Sequence, residues 1–332
     1  MTPQEADEVL ALLREEVTAG NLSILLISHK FREVMAFCDE VTVLRKGKLA
    51  GTGLVKDLEI SDLAEMMMGE KRELEQVEKT AISASQTVLE IKNVCADRDN
   101  GLPAVKGVNL QVSSGEIVGI AGISGNGQKE LVEVLSGQRS ATSGEILVKG
   151  ETYQATREEM FRHQVFALPE EPLQNACVPN MSVAENMALR TFDRPPQSQG
   201  GFLNLKAIHQ AAKSLIQTFS VHTPSSETPI ANLSGGNIQR TVLARELSSS
   251  KIKLFIAANP CFGLDFSAVD FIHRSIIEAR NRGVAVLLVS EDLDELFKLC
   301  DRLIVISEGK LVYESATAEA DINIIGQRMG GY

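Results

Sequence analysis

Apolar positions along the chain follow two periods. Val88-Leu89-Glu90-Ile91 and Val108-Leu110-Val112 alternate apolar with polar, the pattern of strands with one buried face in an antiparallel subdomain. Glu116-Ile117-Val118-Gly119-Ile120 and Leu254-Phe255-Ile256-Ala257 are short runs that read as strands, the first of them buried. A helix is predicted from Glu130 through Leu135, and Ser182 with Glu185 three residues on reads as a capped helix start. Thr2-Pro3-Gln4-Glu5-Ala6-Asp7 reads as another, with Pro in the first turn.

The pattern repeats. Leu25 to Leu49 (LLISHKFREVMAFCDEVTVLRKGKL) sets without a gap beside Leu287 to Leu311 (LLVSEDLDELFKLCDRLIVISEGKL). Ser28 meets Ser290, Glu33 meets Glu295, Cys38 meets Cys300, Asp39 meets Asp301, and Gly47-Lys48-Leu49 meets Gly309-Lys310-Leu311. Each copy predicts strand, turn, amphipathic helix, strand, Gly turn, strand. The second copy has a long lead-in from Val88, whereas the first has only Met1 to Ser28, so copies of equal length would leave roughly 170 residues unmatched. The expectation is a C-terminal remnant of a first domain in residues 1–70, a charged, then small and polar linker in 71–87, and a second domain in 88–332. On that reading the chain starts inside a domain.

Composition narrows the function. The 332 residues suffice for two domains, and 44% apolar with 23% charged content is ordinary for a globular protein. A net charge of −11 argues against a nucleic-acid surface. No run reaches the roughly 18 apolar residues of a membrane span, and the acidic, polar start is no signal peptide. Five cysteines (Cys38, Cys95, Cys177, Cys261, Cys300) lack CxxC spacing, so reduced thiols are expected rather than a metal site.

The candidate chemistry is phosphate binding. After the Glu116–Ile120 strand comes Gly122-Ile123-Ser124-Gly125-Asn126-Gly127-Gln128-Lys129, then a helix, and strand, Gly-rich turn, helix is the context a phosphate loop requires. Gln128 stands at the lysine position of GxxGxGK[ST] and Lys129 at the Ser/Thr position. A lost charge-assisted bond to phosphate is worth roughly 1.5–3 kcal/mol, and the lost hydroxyl removes a Mg²⁺ ligand. Weak or altered nucleotide binding is expected, with a purely structural turn as the alternative. Leu233-Ser234-Gly235-Gly236-Asn237, followed by Gln239, Arg240 and an apolar run, reads as a helix N-terminus able to receive an anion. Alone, SGG is a common loop.

Together these motifs resemble the ABC transporter ATP-binding subunits, and GISGNGQ, LPEE, SVAENMALR and ANPCFGLD resemble the fused two-domain importers of simple sugars and nucleosides. The resemblance implies an α/β fold, an ABC-type nucleotide-binding domain with a P-loop core, an antiparallel β subdomain and a helical subdomain, preceded by the remnant of a second such domain. It implies ATP and Mg²⁺ as cofactors. It also implies a signature that serves the site of the opposite domain. Gly263, Leu264 and Asp265 match its D-loop. Glu170 stands at the Q-loop position, Ala258 and Asn259 replace the Walker B Asp-Glu, and Glu291 replaces the switch histidine that the first copy keeps as His29. With no aromatic between Ile91 and Tyr153 to stack on adenine, this domain's own site is expected not to hydrolyse ATP at a useful rate. His29 as γ-phosphate switch would then belong with Ser234 to Asn237 in one composite site, a solvated or capping role being its alternative. The helix starting at Ser182 resembles the part that docks on the membrane partner.

The implied function is the energy-coupling subunit of an importer, cytoplasmic and peripheral on the inner face of the plasma membrane. Its partners would be permease subunits, an extracytoplasmic solute-binding protein and a chain supplying the missing first-domain segment. A non-hydrolysing regulatory module and a decayed gene product stay open. A soluble twin-domain ABC protein of translation fits less well, given the acidic balance and short linker.

Overall fold

The computed structural model describes residues 3–28, 30–45, 47–68, 77–80, 86–249 and 251–331. The chain divides into two compact units: Met1–Val77 with Asp265–Phe271, and Glu78–Leu264 with Ile272–Tyr332.

The first unit contains helices α1 (Pro3–Thr18) and α2 (Phe31–Phe37), strands β1 (Glu40–Arg45) and β2 (Lys48–Leu54), and helix α3 (Ile60–Met68). In the second come β3 (Thr87–Asp97), β4 (Pro103–Ser113), β5 (Ile117–Ala121), α4 (Gln128–Leu135), β6 (Ser143–Val148), β7 (Glu151–Thr152), α5 (Arg157–His163) and β8 (Val165–Leu168). The helical part follows: α6 (Pro172–Asn175), α7 (Val183–Ala188), the small ribbon β9 (Ser198–Gln199) and β10 (Phe202–Leu203), α8 (Leu205–Thr218) and α9 (Gly235–Leu247). The chain then returns through β11 (Leu254–Ala258), α10 (Phe266–Asn281, whose first turns count with the first unit), β12 (Ala285–Ser290), α11 (Leu293–Leu299), β13 (Arg302–Ser307), β14 (Lys310–Ala316) and α12 (Ile322–Met329).

A six-stranded sheet in the order β14-β13-β5-β12-β11-β8 forms the core of the second unit. Only β14 runs antiparallel to its neighbour. Every residue of β5, β11 and β12 is buried, as parallel strands covered on both faces require. The alternating segments form the four-stranded antiparallel sheet β4-β3-β6-β7. The helical part is pinned by a buried charge: Glu246 on α9, with no solvent exposure, lies 2.6 Å from both Arg190 and Arg245.

The repeat is structural as well as sequential. Both hairpins carry a register shift at matching places, Val43/Leu44 and Val305/Ile306. Each turns on a glycine with positive φ, Gly47 (73°) and Gly309 (82°). Both are followed by a 3-10 turn, Val55–Asp57 and Thr317–Glu319, and then by a helix, α3 and α12. The Ser28 hydroxyl donates to Glu33 at 2.6 Å, and Ser290 does the same to Glu295 at 2.7 Å.

The copies differ at their first strand. Leu287–Ser290 lies in β12 between β5 and β11, but Leu22–Ser28 forms no strand, against the expectation for that copy. An extended segment without a ladder on either side leaves its N–H and C=O groups to water and has no face to bury. Leu25 is 90% and Ile27 92% exposed. In β1 only Val43 is buried, whereas Leu303 to Ile306 of β13 are fully enclosed against β5.

Much of segment 71–87 lies outside the described residues. The described part, Glu78 to Thr80, is docked rather than loose. Lys79 donates to the Cys300 carbonyl at 2.9 Å and pairs with Asp301 at 3.1 Å, and Asn281 bonds the backbone of Glu78 (2.9 Å) and Thr80 (3.1 Å).

Replacing Glu246 with Ala takes the buried carboxylate from the buried Arg245 and the partly exposed Arg190 and is expected to cost about 3–5 kcal/mol in urea unfolding; a loss below ~1 kcal/mol would mean the pair is solvated. Residues 22–28 are expected to be the first cut by a broad-specificity protease. A first cut inside 254–290 would contradict that.

Candidate functional site

Strand β5 delivers the chain into the Gly122–Gly127 turn, and Gly127 is the N-cap of α4 with φ 104°. A Cβ there would come 2.5 Å from the Ala104 carbonyl, so only glycine closes this turn. The helix starts at Gln128, earlier than the predicted Glu130. Asn126 braces the loop: its side chain accepts from the Glu308 amide at 3.0 Å and its carbonyl from Gly309 at 3.0 Å. Arg98 adds a bond to the Gly125 carbonyl and an ion pair to Glu130 at 3.8 Å. Sequence reasoning missed Arg98, because nothing in its local pattern shows that the β3–β4 turn overlies the loop.

Gln128 and Lys129 take opposite directions. The Gln128 amide is buried and donates to the Ile123 carbonyl at 3.0 Å, with its oxygen left unpartnered among the described residues. The Lys129 side chain is two-thirds exposed and reaches Glu133, one turn along α4, at 3.9 Å. The displaced lysine therefore faces solvent rather than the loop.

The ends of β8, β11 and β12 bring the other residues to this loop. Ala258 closes β11 beside Val289 and offers no oxygen. Asn259 follows with φ 41°, a left-handed position that Asn tolerates. Its N–H donates to the Val289 carbonyl at 2.7 Å and its side-chain oxygen accepts from the Glu291 amide at 3.0 Å. Glu291, open to solvent on one side, stands near Ser124 and Glu170. Partial burial, then the charge of Glu170, push the Glu291 carboxyl above its usual range, and Ser124 opposes that. A carboxylate of the chain itself thus meets the loop where a phosphate loop receives an anion.

The signature residues lie apart from this loop. Ser234 is the N-cap of α9 and is exposed, as is Gly235. The Asn237 amide donates to the Ser234 hydroxyl oxygen at 2.9 Å, and its own oxygen accepts from the His222 amide at 2.8 Å. The Ser234 hydroxyl has its own proton free to donate as well. Leu233 packs against the α7–α8–α9 cluster, while Gly236 opens the helix beside Gly235. Buried Gln239 joins this helix to the segment after β11, donating to the Pro260 carbonyl at 2.7 Å. Leu264 is buried near Gly235, Gly263 has φ 68°, and Asp265 accepts from the Ala268 amide at 3.0 Å at the start of α10. His29 lies outside the described residues. Ser182 and Glu185 form both bonds of a capping box on α7.

Residues 105–261 match the family model described as ABC transporter. The chain is similar to the glucose import ATP-binding protein TsgD13 of Haloferax volcanii, 39% identical over all of this chain and 60% of that protein. The nucleoside import ATP-binding protein NupA of Lactococcus lactis subsp. cremoris is 37% identical over 98% of this chain and 64% of its own length. The guanosine import ATP-binding protein NupO of Bacillus subtilis is 36% identical over 100% and 64%. The chain therefore spans 60–64% of the curated relatives it matches. Among solved structures, the ATP-binding cassette MJ0796 bound to ADP and Pi superposes with TM-score 0.59 at 21% identity, over 69% of this chain and 98% of that one. The cbiO1 structure from Clostridium perfringens gives 0.55 at 19%, over 74% and 92%. These likenesses establish the nucleotide-binding-domain fold of an ABC ATPase.

Glu291 is the disfavoured charge in this cluster. Its folded pKa is raised, so the cost of ionising it is absent below the ordinary glutamate range and grows as pH rises through the folded value. Glu291→Gln is expected to melt at a higher temperature than the parent near pH ~8 and to match it near pH ~4. An identical offset at both pH values would separate the effect from ionisation.

Proposed function

Because the chain belongs to the ABC transporter ATP-binding family, we propose that it serves as the energy-coupling, ATP-binding subunit of an importer of nucleosides or simple sugars. It would lie on the cytoplasmic face of the membrane against permease subunits, with an extracytoplasmic binding protein choosing the solute. Among the described residues no helix is long and apolar enough to cross a membrane. The relatives named for glucose, nucleoside and guanosine import support this substrate class.

In the proposed division of labour, the second unit contributes its signature and not its own phosphate loop. The observation that carries this is the exposed Ser234 hydroxyl, held by Asn237 at the positive end of α9. Ser234 and the Gly235 and Gly236 amides would hold phosphate oxygens of a nucleotide seated on another phosphate loop. In this reading His29 of the first unit would orient water or contact the γ-phosphate in that same composite site. That phosphate loop would come from a partner nucleotide-binding domain.

Against MgATP at the second unit's own loop weigh the inward-tied Gln128, the outward Lys129, the oxygen-free Ala258 and the Glu291 carboxylate near Ser124. ATP supplies the phosphoanhydride whose cleavage drives the family's transport, and this loop's residues do not fit Mg²⁺, so no step is assigned to them. The same four features favour one second reading, a regulatory module that docks without hydrolysis.

Ser234→Ala, measured in the assembled transporter with its permease, is expected to lower ATPase turnover about ten- to a hundred-fold, the worth of one hydrogen bond to a charged group. Unchanged ATPase and transport in that variant would hand the case to the regulatory reading.

A further inference from the structure

Three residues that no motif connects meet behind the loop. Cys261 comes from the turn after β11, His273 from α10 and Glu295 from the first turn of α11, and one donor atom from each lies within 4.8 Å of the others. An imidazole nitrogen of His273 is 3.1 Å from one Glu295 oxygen, and the Ser290 hydroxyl donates to the other at 2.7 Å. His273 and Glu295 are each 5% exposed, while Cys261 is half-buried. The second imidazole nitrogen, Nδ1, is buried without a partner among the described residues.

We propose that Cys261, His273 and Glu295 form a binding site for one divalent, thiophilic transition-metal ion of the zinc class. A sulfur, nitrogen and oxygen set is the mixture zinc accepts, and three protein ligands leave a fourth position for water. Bonds of about 2.0–2.3 Å in a tetrahedron put ligands roughly 3.3–3.8 Å apart, so closing the present spread takes about 1 Å. Charge favours the ion too. Thiolate plus carboxylate makes two negative charges in a poorly solvated place, and a dication with neutral imidazole cancels them. Without metal, burial and the neighbouring Glu295 push the Cys261 thiol well above its usual range, so it stays protonated. Metal binding forms the metal–sulfur bond and releases the thiol proton to solvent, so affinity rises with pH.

Hydrogen bonding alone does not call for the imidazole. The first copy keeps the same serine–glutamate bond, Ser28 to Glu33, and the gapless alignment carried back into α1 sets Ala11 at the place of His273. The serine–glutamate pair is thus complete without the imidazole. A metal here would tie the Asn259–Cys261 segment to the Ser290–Glu291 turn through Glu295, bracing both sides of the altered phosphate site.

The test uses the full chain, stripped of metal under reducing conditions. Zn²⁺ titrated by calorimetry is expected to bind one ion per chain and release one proton. Co²⁺ is expected to give a thiolate-to-cobalt charge-transfer band that disappears in Cys261→Ala, and His273→Gln is expected to weaken binding at least ten-fold. Should either variant fail to fold, Zn²⁺ protection of Cys261 from alkylation in the unsubstituted chain, mapped by mass spectrometry, gives the same answer. No stoichiometric binding, a charge-transfer band that survives Cys261→Ala, or unprotected Cys261 at saturating Zn²⁺ overturns the proposal.

Discussion

A parallel strand buried on both faces has no use for water, so each of its backbone groups must find a partner on a neighbouring strand. Strand β5 meets that condition between β13 and β12, and β11 extends it. The rest of the second unit follows. The loop after β5, the Ala258–Asn259 pair after β11 and Glu291 after β12 all emerge at one end of the sheet because the strands run the same way. The nearness of Glu291 to Ser124 is a consequence of strand order. The first unit repeats the hairpin, the 3-10 turn and the last helix but lacks neighbours for the segment equivalent to β12, and that segment stays extended and exposed.

What could be read from the sequence divides along the same line. Features fixed by near neighbours were legible: the capping box at Ser182, the strand–loop–helix around Gly122–Gly127, the Ser234 N-cap and the repeat itself. The predicted strand at Leu25–Ile27 failed because its apolar run states a preference for burial, and burial depends on a sheet those residues do not contain. Arg98 on the Gly125 carbonyl was invisible for a related reason, since it rests on the β3–β4 turn arching over β5's loop. The Cys261, His273 and Glu295 cluster has no spacing signature, being assembled from three elements by sheet order. The linker residues Glu78 to Thr80 look polar and loose in sequence, but Asn281 and Asp301 capture their backbone and lysine.

The two functional halves of the second unit carry opposite electrostatics. At α9 the helix end, two glycine amides and an exposed hydroxyl invite an anion. At the phosphate loop, Glu170 and Glu291 repel one, and the nearest lysine turns away to Glu133. A signature that invites an anion, together with a loop that two carboxylates make unfavourable to one, supports the proposal that this domain serves a nucleotide held elsewhere. Gln239, bonded to the Pro260 carbonyl, joins the signature helix to the segment that follows Asn259, which in turn holds the Glu291 amide.

Asn259 shows how a position can leave chemistry without leaving the structure. A carboxylate there would be acceptor only and could serve as a base; the amide has no basic oxygen, and its carbonyl is committed to the Glu291 N–H. The left-handed backbone at Asn259 costs little for this residue type and lets the 2.7 Å bond to Val289 form. The turn after β12 is therefore held by Asn259 on its amide. A histidine in place of Glu291 could keep that tie, which uses only backbone. Positions 259 and 291 are coupled through that one bond, whereas Gln128 is tied separately, to the Ile123 carbonyl.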